Sequence, residues 1–211
     1  MPVKQVADIR NALTFLLTVS GVDAGRIGLW GTSFGGANAI TVAALDKRIK
    51  ALVVQLTFGD GERVVTGSLS SAEKEKLLQT LNKVWTRSVT QNKNMMMGLT
   101  QILTDADSKA FFEKVIVENP KINIKIPFTF VRHSMEYRPE NSLKDVKIPI
   151  LIVGAEKDIV NPPGESNMLY EKANEPKALY MVKGATHFEV YEGEKFAEVF
   201  GQELEWYNKY L

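Results

Sequence analysis

The chain has 211 residues, enough for one substantial core carrying an insertion and too few for two full-sized enzymes. Its 26 Lys and Arg against 25 Asp and Glu leave a formal net charge of +1, so no global field draws it to nucleic acid or to an anionic membrane. Cysteine is absent, which excludes disulfides, thiolate metal sites and cysteine nucleophiles and suits the cytoplasm, the compartment expected here.

The first predicted element is an amphipathic helix. Val6, Ile9, Leu13 and Leu16 recur at steps of three and four, and Gly21 is placed to close the helix in a left-handed turn. Lys4 and Arg10 ahead of an apolar run give the segment a faint likeness to a signal peptide, but Asp8 interrupts the basic region and the spacing is helical. No apolar stretch approaches the roughly 20 residues that span a bilayer. After Asp23-Ala24-Gly25, the run Ile27-Gly28-Leu29-Trp30 reads as a short strand, and Gly36-Ala37-Asn38-Ala39-Ile40 opens a small-residue helix reaching Leu45. Between them lies Gly31-Thr32-Ser33-Phe34-Gly35, a G-x-S-x-G pattern at a strand-to-helix turn. Residues 51–56 form a second buried strand, and strand, helix, strand implies parallel pairing through a right-handed crossover.

From 61 to about 147 the character changes to charged helical runs, read as a helical cap, or lid, inserted into a single 1–211 domain. Ser70 or Ser71 ahead of Glu73 marks a helix start, followed by an apolar repeat at Leu77, Leu81 and Val84 and another at Phe111, Phe112, Val115 and Ile116. Met95-Met96-Met97 and residues 124–130 add flexible and aromatic apolar surface. They read as packing for the insert, with substrate contact as the alternative. Residues 149–154 resume the sheet and run into Glu156 and Asp158. Asn161-Pro162-Pro163-Gly164 makes a turn, a helix follows over 165–173, and 178–182 gives a fourth strand. The loop that leaves it contains His187. In the closing helix Phe196, Val199, Phe200, Leu204 and Tyr207 share one face, which is expected to cover the sheet. The expected fold class is α/β, a mostly parallel sheet with flanking helices and a helical cap.

Ser33, Asp158 and His187 each fall just beyond the C-terminal end of a predicted parallel strand, where open α/β sheets place their sites. A serine hydroxyl is a poor nucleophile until an imidazole accepts its proton, and the imidazole needs a carboxylate to fix its tautomer. The chain order Ser, Asp, His matches the order in which α/β-hydrolases supply these groups. Glu156 and Asp60 are the other candidates for the acid. His133, the second of two histidines, reads as structural. Gly31 and Gly35 are expected to leave room for the turn, and the helix after Ser33 points its first N–H groups at developing negative charge. The glycines do not give G-x-G-x-x-G, so a dinucleotide site is disfavoured, and neither a metal nor a cofactor is expected.

These pieces resemble the α/β-hydrolase superfamily, and within it the dienelactone-hydrolase-like and acetyl-xylan-esterase-like group related to the S9 and S15 serine peptidases. The resemblance rests on residues 28–36, on Met135-Glu136-Tyr137-Arg138-Pro139, on residues 153–158, on Glu175-Pro176-Lys177 and on Gly184-Ala185-Thr186-His187-Phe188. It implies hydrolysis of a carboxylic ester or related acyl bond through an acyl-enzyme on Ser33, with His187 as base, Asp158 as orienting acid and the Phe34 N–H as an oxyanion donor. The alternatives are a hydrolase remnant that acts as a binding scaffold, and a serine peptidase. The expected partner is a small-molecule ester, with no nucleic acid and no membrane. Such hydrolases carry further strands before the elbow strand. The expectation is therefore a piece of a longer hydrolase, or a homo-oligomer, in which a partner chain covers an exposed sheet edge.

Overall fold

The computed structural model describes residues 1–211. Helix α1 spans Pro2–Leu16 and buries Val6 and Leu13. It is capped at Leu17 in a right-handed conformation, so it stops before Gly21, whose positive φ of 86° serves the turn beyond. Strand β1 (Gly28–Thr32), helix α2 (Phe34–Leu45) and strand β2 (Ala51–Gln55) follow in the expected order. The two strands pair in parallel, with Gly28 opposite Ala51 and Thr32 opposite Gln55.

Residues Gly61–Tyr137 form a compact unit of their own. The sequence reading drew the far boundary at 147, whereas the 3-10 turn Pro139–Asp145 belongs with the sheet-bearing unit. The inserted unit contains α3 (Gly61–Thr66), α4 (Ser71–Gln91), β3 (Met96–Gly98), α5 (Leu99–Ile102), α6 (Ala106–Glu118), β4 (Lys125–Pro127) and α7 (Thr129–Met135). Ser70 caps α4 through a reciprocal pair with Glu73, satisfying two N–H groups that the first turn leaves without partners. Leu81 is buried with Val131 and Met135, and Leu77 packs against them. Strands β3 and β4 pair antiparallel, Met97 opposite Ile126. The sequence reading placed no strands here, because three residues are too few to show an alternation.

The chain then returns to the main sheet through β5 (Ile150–Ala155), α8 (Pro163–Lys172), β6 (Lys177–Val182) and α9 (Gly193–Tyr210). The sheet order is β1-β2-β5-β6 with every pair parallel, so Thr32, Gln55, Ala155 and Val182 end along one rim. Both sheet faces are covered. Leu52, Val54, Ile150 and Ile152 pack with Ala39, Ile40 and Ala43 of α2 and Leu169 of α8, while Val53, Leu151 and Val153 pack with Val199 of α9. This is why the central strands read as continuous apolar runs.

The face of α9 that meets the sheet differs from the expected one. Val199, Trp206 and Tyr207 pack inward, whereas Phe196, Phe200 and Leu204 are 49%, 51% and 47% exposed. Steps of four drift away from a helix face that turns every 3.6 residues, so the Phe196, Phe200, Leu204 row leaves the stripe that Val199 and Trp206 begin. No helix is long and apolar enough to cross a membrane.

Candidate active site

Ser33 is the one residue between the end of β1 and the start of α2. Its φ of 51° and ψ of −125° are unusual for a residue with a side chain, and such a conformation costs about 1–3 kcal/mol. Its surroundings fix it there. Its N–H donates to Gln55 O at 2.9 Å, and its carbonyl accepts from Thr57 Oγ1 at 2.7 Å and from Gly36 N at 3.0 Å. Two glycines make the fit possible. A Cβ on Gly31 would lie 2.5 Å from Gly35 O, and one on Gly36 would lie 2.7 Å from Thr57 Cβ. Gly35 plays no such steric part, since a Cβ there meets nothing within 4 Å. The tight second glycine of the turn is Gly36. Phe34 is the first residue of α2, where an N–H has no acceptor within its own helix.

Asp158 and His187 come together. His187 Nδ1 lies 2.7 Å from Asp158 Oδ2, both residues are buried, and the other carboxylate oxygen accepts the Val160 and Asn161 N–H groups at 2.8 Å each. Because a carboxylate only accepts, Nδ1 carries the imidazole proton and Nε2 is left with its lone pair. The two other acid candidates lie elsewhere. Glu156 is exposed and accepts the Gly184 N–H at 2.7 Å, and Asp60 pairs with Arg138 at 3.0 Å. His133 sits in the inserted unit with its ring edge-on to Trp85, and burial pushes its pKa down.

Three residues that sequence reasoning passed over complete the surroundings. Asn161, taken only as a turn residue, donates its Nδ2 hydrogens to Leu56 O at 2.7 Å and to Ser33 Oγ at 3.4 Å. Thr57 holds the Ser33 carbonyl. Tyr191 shares a hydrogen bond with Thr32 Oγ1 at 2.8 Å and sets its ring 6.0 Å from that of His187. Burial pushes the Tyr191 phenol up to about 12, so it stays a neutral hydroxyl beside the imidazole. A direct Ser33–His187 hydrogen bond is not formed in this structure, and contacts of this kind often tighten only once substrate is bound. No group of three or more His, Asp or Glu side chains is arranged to hold a metal ion.

The family described as serine aminopeptidase, S33, matches residues 4–194. The chain belongs to this α/β-hydrolase family. The hydrolase is 40% identical over 212 residues to an Escherichia coli protein described as an uncharacterized 31.7 kDa protein in the traX-finO intergenic region, covering all of this chain and 74% of that one. It is 29% identical over 202 residues to a thiohydrolase of Eupenicillium brefeldianum, covering 91% of this chain and 64% of the relative. Among solved structures, the hypothetical protein PA2218 from Pseudomonas aeruginosa superposes with a TM-score of 0.79 at 20% identity, over 100% of this chain and 68% of that one, which is a likeness of fold. The α/β-hydrolase assignment and the mostly parallel sheet expected from the sequence both hold, and acetyl xylan esterases stand among the structural neighbours. Its reaction class is hydrolysis.

Proposed function

We propose that this hydrolase cleaves a carboxylic ester or a related acyl bond through an acyl-enzyme on Ser33. The observation that carries the reading is the buried 2.7 Å pairing of His187 with Asp158, which leaves Nε2 as the acceptor at the rim where β1 delivers the strained Ser33. In the first half-reaction Ser33 Oγ attacks the acyl carbon while its proton passes to His187 Nε2, and the carbonyl oxygen takes the negative charge. The Phe34 N–H and the start of α2 face that charge. The bond to the leaving group then breaks, and His187 returns the proton to the departing oxygen or sulfur. In the second half, His187 takes a proton from water, hydroxide attacks the acyl-enzyme, and Ser33 leaves with the proton restored. Asp158 stays ionised and holds the imidazolium in place.

The relative named a thiohydrolase supports thioesters as one member of the acyl class. Peptide hydrolysis is the second reading, and the description of the family as serine aminopeptidase is the observation that favours it. A fluorophosphonate probe tests the nucleophile: the wild-type chain takes up one label and Ser33→Ala takes up none. Absence of labelling in the wild type, or equal labelling of the variant, overturns the assignment. A panel of p-nitrophenyl esters, acyl thioesters and aminoacyl p-nitroanilides then separates the two readings by which substrates turn over.

A further inference from the structure

We propose that Asn161 is the hydrogen-bond donor that aims the Ser33 hydroxyl, and that the left-handed turn at Leu56 exists to hold that donor in place. The proposal rests on Ser33 being the nucleophile. Its starting point is Leu56, which has a positive φ of 49° and is 1% exposed at the end of β2. A leucine gains nothing from this conformation by itself. Its N–H is held by Val153 O at 2.7 Å, so its carbonyl is turned into the protein, where Asn161 Nδ2 meets it at 2.7 Å.

That contact settles which end of the Asn161 amide is which. A carbonyl oxygen only accepts, so the group facing Leu56 O is the NH2 and not the amide oxygen. The second hydrogen of the same NH2 then faces Ser33 Oγ, 3.4 Å away. Ser33 Oγ is therefore an acceptor toward Asn161, and its own hydrogen is left for another partner. An acceptor in the place of this NH2 would draw that hydrogen away from the imidazole. The backbone of Asn161 adds a second link, because its N–H binds the Asp158 oxygen that His187 does not use. One loop thus carries the acid that orients the base and the donor that orients the nucleophile.

All three polar atoms of Ser33 are now traced to the last residue of β2 and the two that follow it. Gln55 O takes its N–H, Thr57 Oγ1 donates to its carbonyl, and Leu56 O fixes the amide that reaches its Oγ. The 158–161 turn is closed by the backbone N–H groups of residues 160 and 161, which any residue but proline supplies, and the first side-chain hydrogen of Asn161 ties it to Leu56 O. The second side-chain hydrogen has a use only at Ser33. As Oγ gives up its proton and gains negative charge the contact strengthens, and it does so again when Oγ leaves the acyl carbon during deacylation.

The test compares rate constants for fluorophosphonate labelling of wild type, Ser33→Ala, Asn161→Ala and the isosteric Asn161→Asp. The rate constants are measured well below the unfolding transition of each variant, located by thermal melts, so that loss of stability does not enter them. We expect Asn161→Ala to label about tenfold more slowly than wild type, the worth of one hydrogen bond to a group that becomes charged. Asn161→Asp, which places acceptors against two acceptors, is expected to be slower still. Labelling of both variants at the wild-type rate constant overturns the proposal while the Ser33 assignment stands. A wild type that takes no label overturns the Ser33 assignment itself, and the proposal with it.

Discussion

Ser33 is held by the Gln55 carbonyl, the Gly36 N–H and the side chains of Thr57 and Asn161, and of the glycines around it Gly31 and Gly36 are sterically needed whereas Gly35 is not. Gly36→Ala drives a methyl into Thr57, which is fully buried and engaged with the Ser33 carbonyl, so a loss of about 1–3 kcal/mol is expected. Gly35→Ala enters open space in the first turn of α2, and a gain of about 0.5–1 kcal/mol is expected from helix propensity. Thermal unfolding of the two variants reads the opposite signs. At this scale the sequence was legible where chemistry restricts residue type. Ser33, Asp158 and His187 stand out as candidates because few side chains suit the proposed chemistry and because each follows an apolar run. Asn161, Thr57 and Tyr191 were hidden, since asparagine beside two prolines is equally what a turn requires. The acceptor that gives Asn161 its second meaning, Leu56 O, lies 105 residues away in the chain.

Among the elements, strands buried on both faces were the easiest to find, because β5 has no polar residue and β2 has one only at its last position, Gln55. The short β3 and β4 strands and the orientation of α9 were not legible, as both depend on partners rather than on local pattern. The junction of α1 with α2 was equally silent. Asp46, the residue that caps α2, is 5% exposed and accepts from Arg48 at 2.6 Å and from Arg10 of α1 at 3.3 Å. The hydrogen bonds from Arg48 hold its carboxyl well below the usual carboxylate range, against the opposing effect of burial. A depressed pKa gives stability that is present above the unfolded value of about 4 and is lost as pH falls toward the folded one. Asp46→Asn is therefore expected to cost about 1 kcal/mol at neutral pH, a value reduced for the exposure of both guanidinium groups. In urea melts, the gap from wild type should narrow below about pH 4.

For the whole molecule, β1 and β6 are the two edges of the sheet, and on β1 Trp30 is 46% exposed with its indole N–H bonded to Glu203 of α9 at 2.9 Å. Phe196, Phe200 and Leu204 of α9 are exposed as well. We propose that a second copy of this chain covers the β1 edge, as an unpaired parallel strand invites. Light scattering should then give a mass above that of one chain, and Trp30→Lys should return it to one. A single-chain mass with little dye binding to apolar surface would overturn the proposal. The resemblance to longer hydrolases indicated the edge, and the row Phe196, Phe200 and Leu204 was read as facing the sheet, so that its exposure appeared only once the helix was placed.

The sheet-bearing unit is built from two separate stretches, Met1–Asp60 and Arg138–Leu211, with the inserted unit between them. Ser33 and its donor Asn161 are 128 residues apart, one on each stretch. Ser33, the proposed nucleophile, is thus made before the groups that would arm it. Until β5 pairs with β2, a nascent chain carries a serine without its base. In this sense the order of synthesis acts as a safety catch on the proposed chemistry, released only when the C-terminal stretch has docked.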